Sequence, residues 1–217
     1  MNPHRPLLAA ILLTLGCGSL AAAAPLRLGG WAGVNLANVV FADDLGLPYD
    51  TWARPALGLE LELPLGERWS LALLPGLVGD GARARTDAAT TGMPGTVALE
   101  LDSFRLPILL RRSFGARALR PYFAAGATTA YLRRARTVTE FDGEREIEDL
   151  TGEIRRLDAG FALGGGFVFV RSRTRYRLEA LFEQGLVDLD ASSDSPLRMQ
   201  SIRLTFGVSF ALGDRVR

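Results

Sequence analysis

Glu60 and Glu62 stand two residues apart in an alternating run, a spacing that puts both carboxylates on one face of a β-strand. Paired carboxylates could work as general acid and base, as they do in glycoside cleavage. Arg175 and Arg177, followed by Glu179, have the same spacing and offer a different chemistry. Their guanidiniums could neutralise carboxylates across a shared interior, with Asp158 and Arg203 joining from the small-residue faces of their own runs. We favour charge pairing, because a buried carboxylate is costly alone and partners of opposite sign are at hand.

The chemistry that is missing is as informative. His4 is the only histidine, Cys17 the only cysteine, and there is no lysine, so all 25 basic residues are arginine. Residues 25–217 therefore carry no imidazole to activate a serine, no amine for a Schiff base and no thiolate. Acyl transfer and serine hydrolysis are disfavoured, and the enzymatic alternative left is lipid modification by carboxylates alone. No metal site or cofactor is expected, since the usual Cys and His ligands are absent. Asp43, Asp44 and Asp50 offer hard oxygens but match no standard calcium loop, so they read as a solvated link. Gly164-Gly165-Gly166 has no Gly-Lys-Ser/Thr after it and reads as space rather than a phosphate loop. Arg133-Arg134-Ala135-Arg136 could grip lipopolysaccharide phosphates by bidentate hydrogen bonds. The acidic run Glu144–Asp149 offers these arginines an internal partner instead. A net charge of +1 gives no bulk attraction to nucleic acid.

The elements that must position these groups are strands. In Ser201–Leu212, Ile202, Leu204, Phe206, Val208, Phe210 and Leu212 fall on one face, with Ser201, Arg203, Thr205, Gly207, Ser209 and Ala211 opposite. Such period-2 alternation is a β-strand with one greasy face. Eight runs of this kind are predicted: Arg27–Val39, Arg54–Leu65, Trp69–Asp80, Val97–Arg111, Arg120–Leu132, Arg156–Val170, Thr174–Val187 and Arg198–Leu212. In the fourth, Val97, Leu99 and Leu101 have opposite parity to Leu106, Ile108 and Leu110, which predicts a bulge near Asp102–Phe104. The links alternate between short (Gly66–Arg68, Arg112–Leu119, Arg171–Arg173) and long (Val40–Ala53, Gly81–Thr96, Arg133–Arg155, Asp188–Leu197). That alternation marks a transmembrane barrel, whereas a soluble one has no reason to sort its loops by end. Trp69, Phe167, Phe169, Tyr176 and Phe210 gather by the short links, as an interfacial girdle would. Gly58, Gly76, Gly160, Gly164, Gly166 and Gly207 leave room on the proposed inner face. Residues 1–24 read as a cleaved signal peptide, with Arg5, the apolar Leu7–Leu15 and the small residues Ala21–Ala24, leaving one barrel domain over residues 25–217.

Several motifs carry a family resemblance. Ala32-Gly33-Val34-Asn35-Leu36-Ala37-Asn38, Phe104-Arg105-Leu106-Pro107-Ile108-Leu109-Leu110 and Arg120-Pro121-Tyr122-Phe123-Ala124-Ala125-Gly126 resemble strands of the outer-membrane β-barrel superfamily, in particular its PorT-like branch. Asp158-Ala159-Gly160 with Gly164–Gly166, and Glu179 with Gly185-Leu186, are similar to the strands that follow. Leu181 and Phe182 depart from the Arg and Tyr of that pattern. The end also resembles the signal read by the barrel-assembly machinery, with Thr205, Gly207, Phe210 and Leu212 in its places and Gly213–Arg217 trailing beyond. The resemblance implies an all-β, eight-stranded antiparallel up-and-down barrel in the outer membrane of a Gram-negative bacterium. A monomer with no enzymatic activity and no nucleic-acid partner, bedded in outer-membrane lipid, is expected. Its role would be envelope integrity, surface interaction or assembly. A narrow channel and a soluble periplasmic barrel around an apolar ligand stand as alternatives.

Overall fold

The computed structural model describes residues 25–41, 49–86, 95–115, 117–141, 144–152, 154–189 and 197–213. The expected signal peptide, Asp43 and Asp44 lie outside the described residues. Among the described residues, ten strands form one antiparallel sheet: β1 (Arg27–Phe41), β2 (Tyr49–Pro64), β3 (Trp69–Leu73), β4 (Gly76–Thr86), β5 (Gly95–Ser113), β6 (Leu119–Phe141), β7 (Glu144–Asp149), β8 (Leu157–Arg171), β9 (Thr174–Gly185) and β10 (Leu197–Ala211).

The sheet closes on itself because β1 pairs with β2 on one side and with β10 on the other. Closure is obligatory in hydrocarbon, where an open edge would leave backbone groups unpaired. The ring has eight wall positions. β3 and β4 occupy one of them in succession, each pairing β2 on one side and β5 on the other. Pro75 lies between them, and its missing N–H breaks the ladder. Isolated bonds from the Leu59 N–H to the Pro75 oxygen and from the Leu74 N–H to the Pro107 oxygen hold the wall there. β7 is not part of the ring; it pairs only with the far end of β6 as a hairpin beyond the wall.

The short turns after β2, β5 and β8 lie at the same end as Arg27 and Ala211. In outer-membrane barrels that end faces the periplasm. Outward residues make an apolar band, traced on β5 by Phe104, Ile108, Leu110 and, just past the strand, Phe114. Ten residue steps at roughly 3.3 Å and a tilt of about 40° span about 25 Å, the height of the hydrocarbon-facing band in such barrels. Trp69, Phe167, Phe169, Tyr176 and Phe210 all face outward towards its periplasmic border, where Phe169 and Tyr176 sit 6.3 Å apart and Tyr176 and Phe206 6.4 Å.

Above the band the wall continues and its polarity reverses. Leu101 is 0% exposed on the same inward face as Ser103, Arg105, Leu109 and Arg111, whereas Ile108 is 41% exposed. Leu101 packs with Ala82, Leu132, Ala135, Leu189 and Met199 into a core inside the outer mouth, flanked by Leu99, Leu150 and Ile154. Glu100 and Asp102 take the opposite face, pairing with Arg136 and Arg54. The physical reason is a change of solvent: lipid draws apolar groups outward, and water drives them inward. A register shift does fall between Asp102 and Ser103, where the sequence predicts a bulge, but the extra residue is Arg133 on β6. β5 keeps its alternation unbroken against β4. The parity change within Val97–Arg111 is therefore a change of surroundings rather than of strand geometry. Where they are described, the long links expected at Gly81–Thr96 and Arg133–Arg155 are largely strand, because β4, β5, β6 and β7 build this extension.

Candidate functional site

The interior between the short turns and the outer core is filled by interlocking charges. Nearest the periplasm, Arg177 bridges Glu60 and Glu62, reaching Glu62 at 2.9 Å, and Arg175 reaches Glu62 at 3.0 Å. Glu60 also accepts from Arg111, whose other amine lies 2.7 Å from Glu179. The Tyr122 hydroxyl donates to the same Glu179 oxygen at 2.8 Å. The guanidiniums of Arg111 and Arg177, which share Glu60, also lie 5.5 and 5.6 Å from the centre of the Tyr122 ring.

Towards the outside a second tier is centred on Arg105. It reaches Asp80 at 2.8 Å, Glu183 at 3.2 Å and the Ser201 hydroxyl at 3.1 Å. Asp80 also accepts from Asn35 at 2.7 Å and Ser103 at 2.9 Å, and Glu183 from Thr128 at 3.2 Å. Arg203 lies 3.5 Å from Glu183 and 4.7 Å over the Trp31 ring. Trp31 fills the lumen beside the first tier, its indole N–H held by the Leu59 oxygen at 2.8 Å. A Cβ at Gly58 or Gly76 would meet that indole, so these two glycines make the space it occupies. Most of these groups are buried, which demands this density of partners.

Asp158 stands apart from both tiers. It is half-buried and accepts the Val187 N–H at 3.2 Å, anchoring the segment after β9. It also lines, with Arg105, Thr128 and Glu183, a cavity of about 10 Å³, room for a single water. A further space of about 30 Å³ opens at the periplasmic end, between Glu62, Arg68, Arg120 and Arg175 among others. Of the residues expected to form an assembly signal, Thr205 is buried, Gly207 sits against Trp31, and Phe210 and Leu212 are exposed on the band. On the hairpin outside the membrane, the hydroxyl and N–H of Thr151 hold the Asp149 carboxyl below the usual aspartate range. Among the described residues, no three acidic, His or Cys side chains come together as a metal site.

Residues 21–191 match the outer membrane protein beta-barrel domain model. The chain belongs to that family. This outer-membrane barrel resembles OprG from Pseudomonas aeruginosa with a TM-score of 0.52 and 13% identity, over 88% of this chain and 98% of that one. It also resembles Neisserial surface protein A, with a TM-score of 0.47 and 11% identity over 88% and 100%. No curated protein matches in sequence.

Alternation in the outer-membrane barrel's sequence singles out Glu60, Glu62, Arg177, Glu179 and Arg203, all buried in the first or second tier. It passes over Trp31, Asn35, Asp80, Arg105, Arg111, Tyr122 and Glu183. Their signal was parity, since each sits on the face opposite the apolar outward row of its own strand. Glu60 and Glu62, each held by two arginines, have no free face for a substrate and make poor acid–base catalysts.

Proposed function

We propose that this outer-membrane barrel is non-enzymatic and closed to ions, and that it holds a rigid extracellular sheet in place for surface interaction. The observation that carries this reading is the Arg105 tier, which spans the lumen from Asp80 on β4 to Glu183 on β9 beneath the apolar core of the outer mouth. A permeating ion would have to break charge pairs in a space with room for about one water. The stiff β4–β5–β6–β7 extension stands above the membrane as the surface on offer. Residues 1–24 serve as the leader, and Thr205, Gly207, Phe210 and Leu212 serve as the signal for the barrel-assembly machinery. Within that family, its strand motifs suggest the PorT-like branch. The barrel works as a monomer, with lipopolysaccharide phosphates against Arg133 and Arg134.

Single-channel recording of the refolded barrel in planar bilayers tests the reading. A flat baseline is expected, with steps emerging on Arg105→Ser. Steps from the unaltered barrel, with selectivity reversed by charge reversal at Glu60 and Glu62, would replace this reading with the narrow channel. A change in lipid A mass on expression, lost in Glu60→Gln, would replace it with a carboxylate-dependent enzyme.

A further inference from the structure

Among the described residues, the periplasmic rim carries an excess of positive charge. Its described turns and strand ends hold Arg68, Arg112, Arg117, Arg120 and Arg171 against Glu67, while Glu62 at the same end is held by Arg175 and Arg177. The chain as a whole has a net charge of only +1, so this imbalance is local. Arg112 and Arg171 take the outward positions that continue the apolar rows of β5 and β8, directly beyond Leu110 and Phe169. Arg112 lies 5.3 Å over the Trp69 ring and 5.4 Å over Phe114, with its stem on the aromatic border and its charge at headgroup height. Arg68, Arg112, Arg117 and Arg171 are all exposed.

The geometry points to a binding site for anionic glycerophospholipid of the inner leaflet, built by this arginine rim over its aromatic girdle. A guanidinium held against aromatic rings at the interface can present its fork to a phosphate, and a headgroup with net negative charge gains over a zwitterionic one. Phosphatidylglycerol is the simplest lipid of that class. Free phosphate would lack the acyl chains that the exposed Trp69, Phe114 and Phe169 are placed to cover.

Trp69 is a built-in reporter. Of the three tryptophans, Trp31 is buried in the lumen and Trp52 lies between Arg54 and Arg83 on the outer extension, leaving Trp69 on the lipid face at this rim. With Trp52→Phe as background, the barrel is placed in mixed vesicles of phosphatidylglycerol and phosphatidylcholine, either lipid carrying brominated chains. Quenching of Trp69 then gives the relative binding constant. We expect phosphatidylglycerol to be preferred about threefold at low salt, falling to about one at 1 M salt, where the Debye length is roughly 3 Å. Arg68→Gln, Arg112→Gln, Arg117→Gln and Arg171→Gln together remove the preference while a heat-dependent gel shift reports an intact barrel. A relative constant of about one in the parent at low salt overturns the site, as does a preference retained in the fourfold variant. Should that variant fail to fold, the salt series on the parent decides alone, because a preference that persists at 1 M salt is not electrostatic.

Discussion

Arg105→Met is the sharpest single perturbation of the lumen. The methionine conserves much of the side-chain volume and removes the charge, so packing changes little while three contacts vanish: Asp80 at 2.8 Å, Glu183 at 3.2 Å and Ser201 at 3.1 Å. Asp80 keeps Asn35 and Ser103, and Glu183 keeps Thr128 and Arg203, so neither acid is left bare. Even so, two carboxylates buried to within 2% lose their shared cation. Removing one partner of a buried pair costs about 3–5 kcal/mol. With a urea dependence of about 2 kcal/mol per molar, the unfolding midpoint in lipid vesicles, followed by heat-dependent gel mobility, should fall by about 1.5–2.5 M. Adding Asp80→Asn should recover about 1–3 kcal/mol of that loss as a coupling energy. A loss below about 1 kcal/mol for Arg105→Met, the worth of an exposed pair, would refute the tiered interior as a source of stability.

Two further outcomes follow from the packing. Gly76→Leu should cost more than 1–3 kcal/mol, the usual range for overpacking, because even its Cβ meets the Trp31 ring. Trp31→Ala in the same chain should recover part of the loss, read from thermal melting in detergent. The polarity change along β5 predicts that one substitution depends differently on the medium at its two ends: Leu101→Asn, inside the outer core, should lower stability by about 2–5 kcal/mol in detergent and in lipid alike. Ile108→Asn, on the lipid face, should lower stability chiefly in lipid, and equal losses for both variants in both media would contradict the inversion.

The ring was legible because lipid-facing strands print their surroundings as strict alternation, and Leu57-Gly58-Leu59-Glu60-Leu61-Glu62 is unambiguous in phase. The extension was not, because alternation there follows a different rule. Leu99 and Leu101 continue the greasy pattern while pointing the other way, so a reading that equates apolar with outward must invent a bulge to keep them out. The split at Leu74–Pro75 left little trace either, since Leu74 and Gly76 both stay inward across it. In the interior, Glu60, Glu62 and Arg177 stood out because they cluster at spacing two. Arg105, Asp80 and Glu183 have no charged neighbour two residues away on their own inward faces, and only the closed ring brings Glu183 to the Asp80–Arg105 pair.

That last fact bears on how the chain reaches its membrane-bound form. Arg177 and Glu60 are separated by 117 residues, Arg105 and Glu183 by 78, and Arg111 and Glu60 by 51. Two hairpins pair a lumenal charge within themselves, Asp80 with Arg105 and Glu183 with Arg203, but Glu60, Glu62 and Arg111 find their partners only across the ring. A sheet inserted hairpin by hairpin would carry bare guanidiniums and carboxylates into hydrocarbon before their partners arrived. Insertion and closure must therefore be close to one event, with water leaving the interior only as β10 meets β1. The order of synthesis cannot dictate the order of burial.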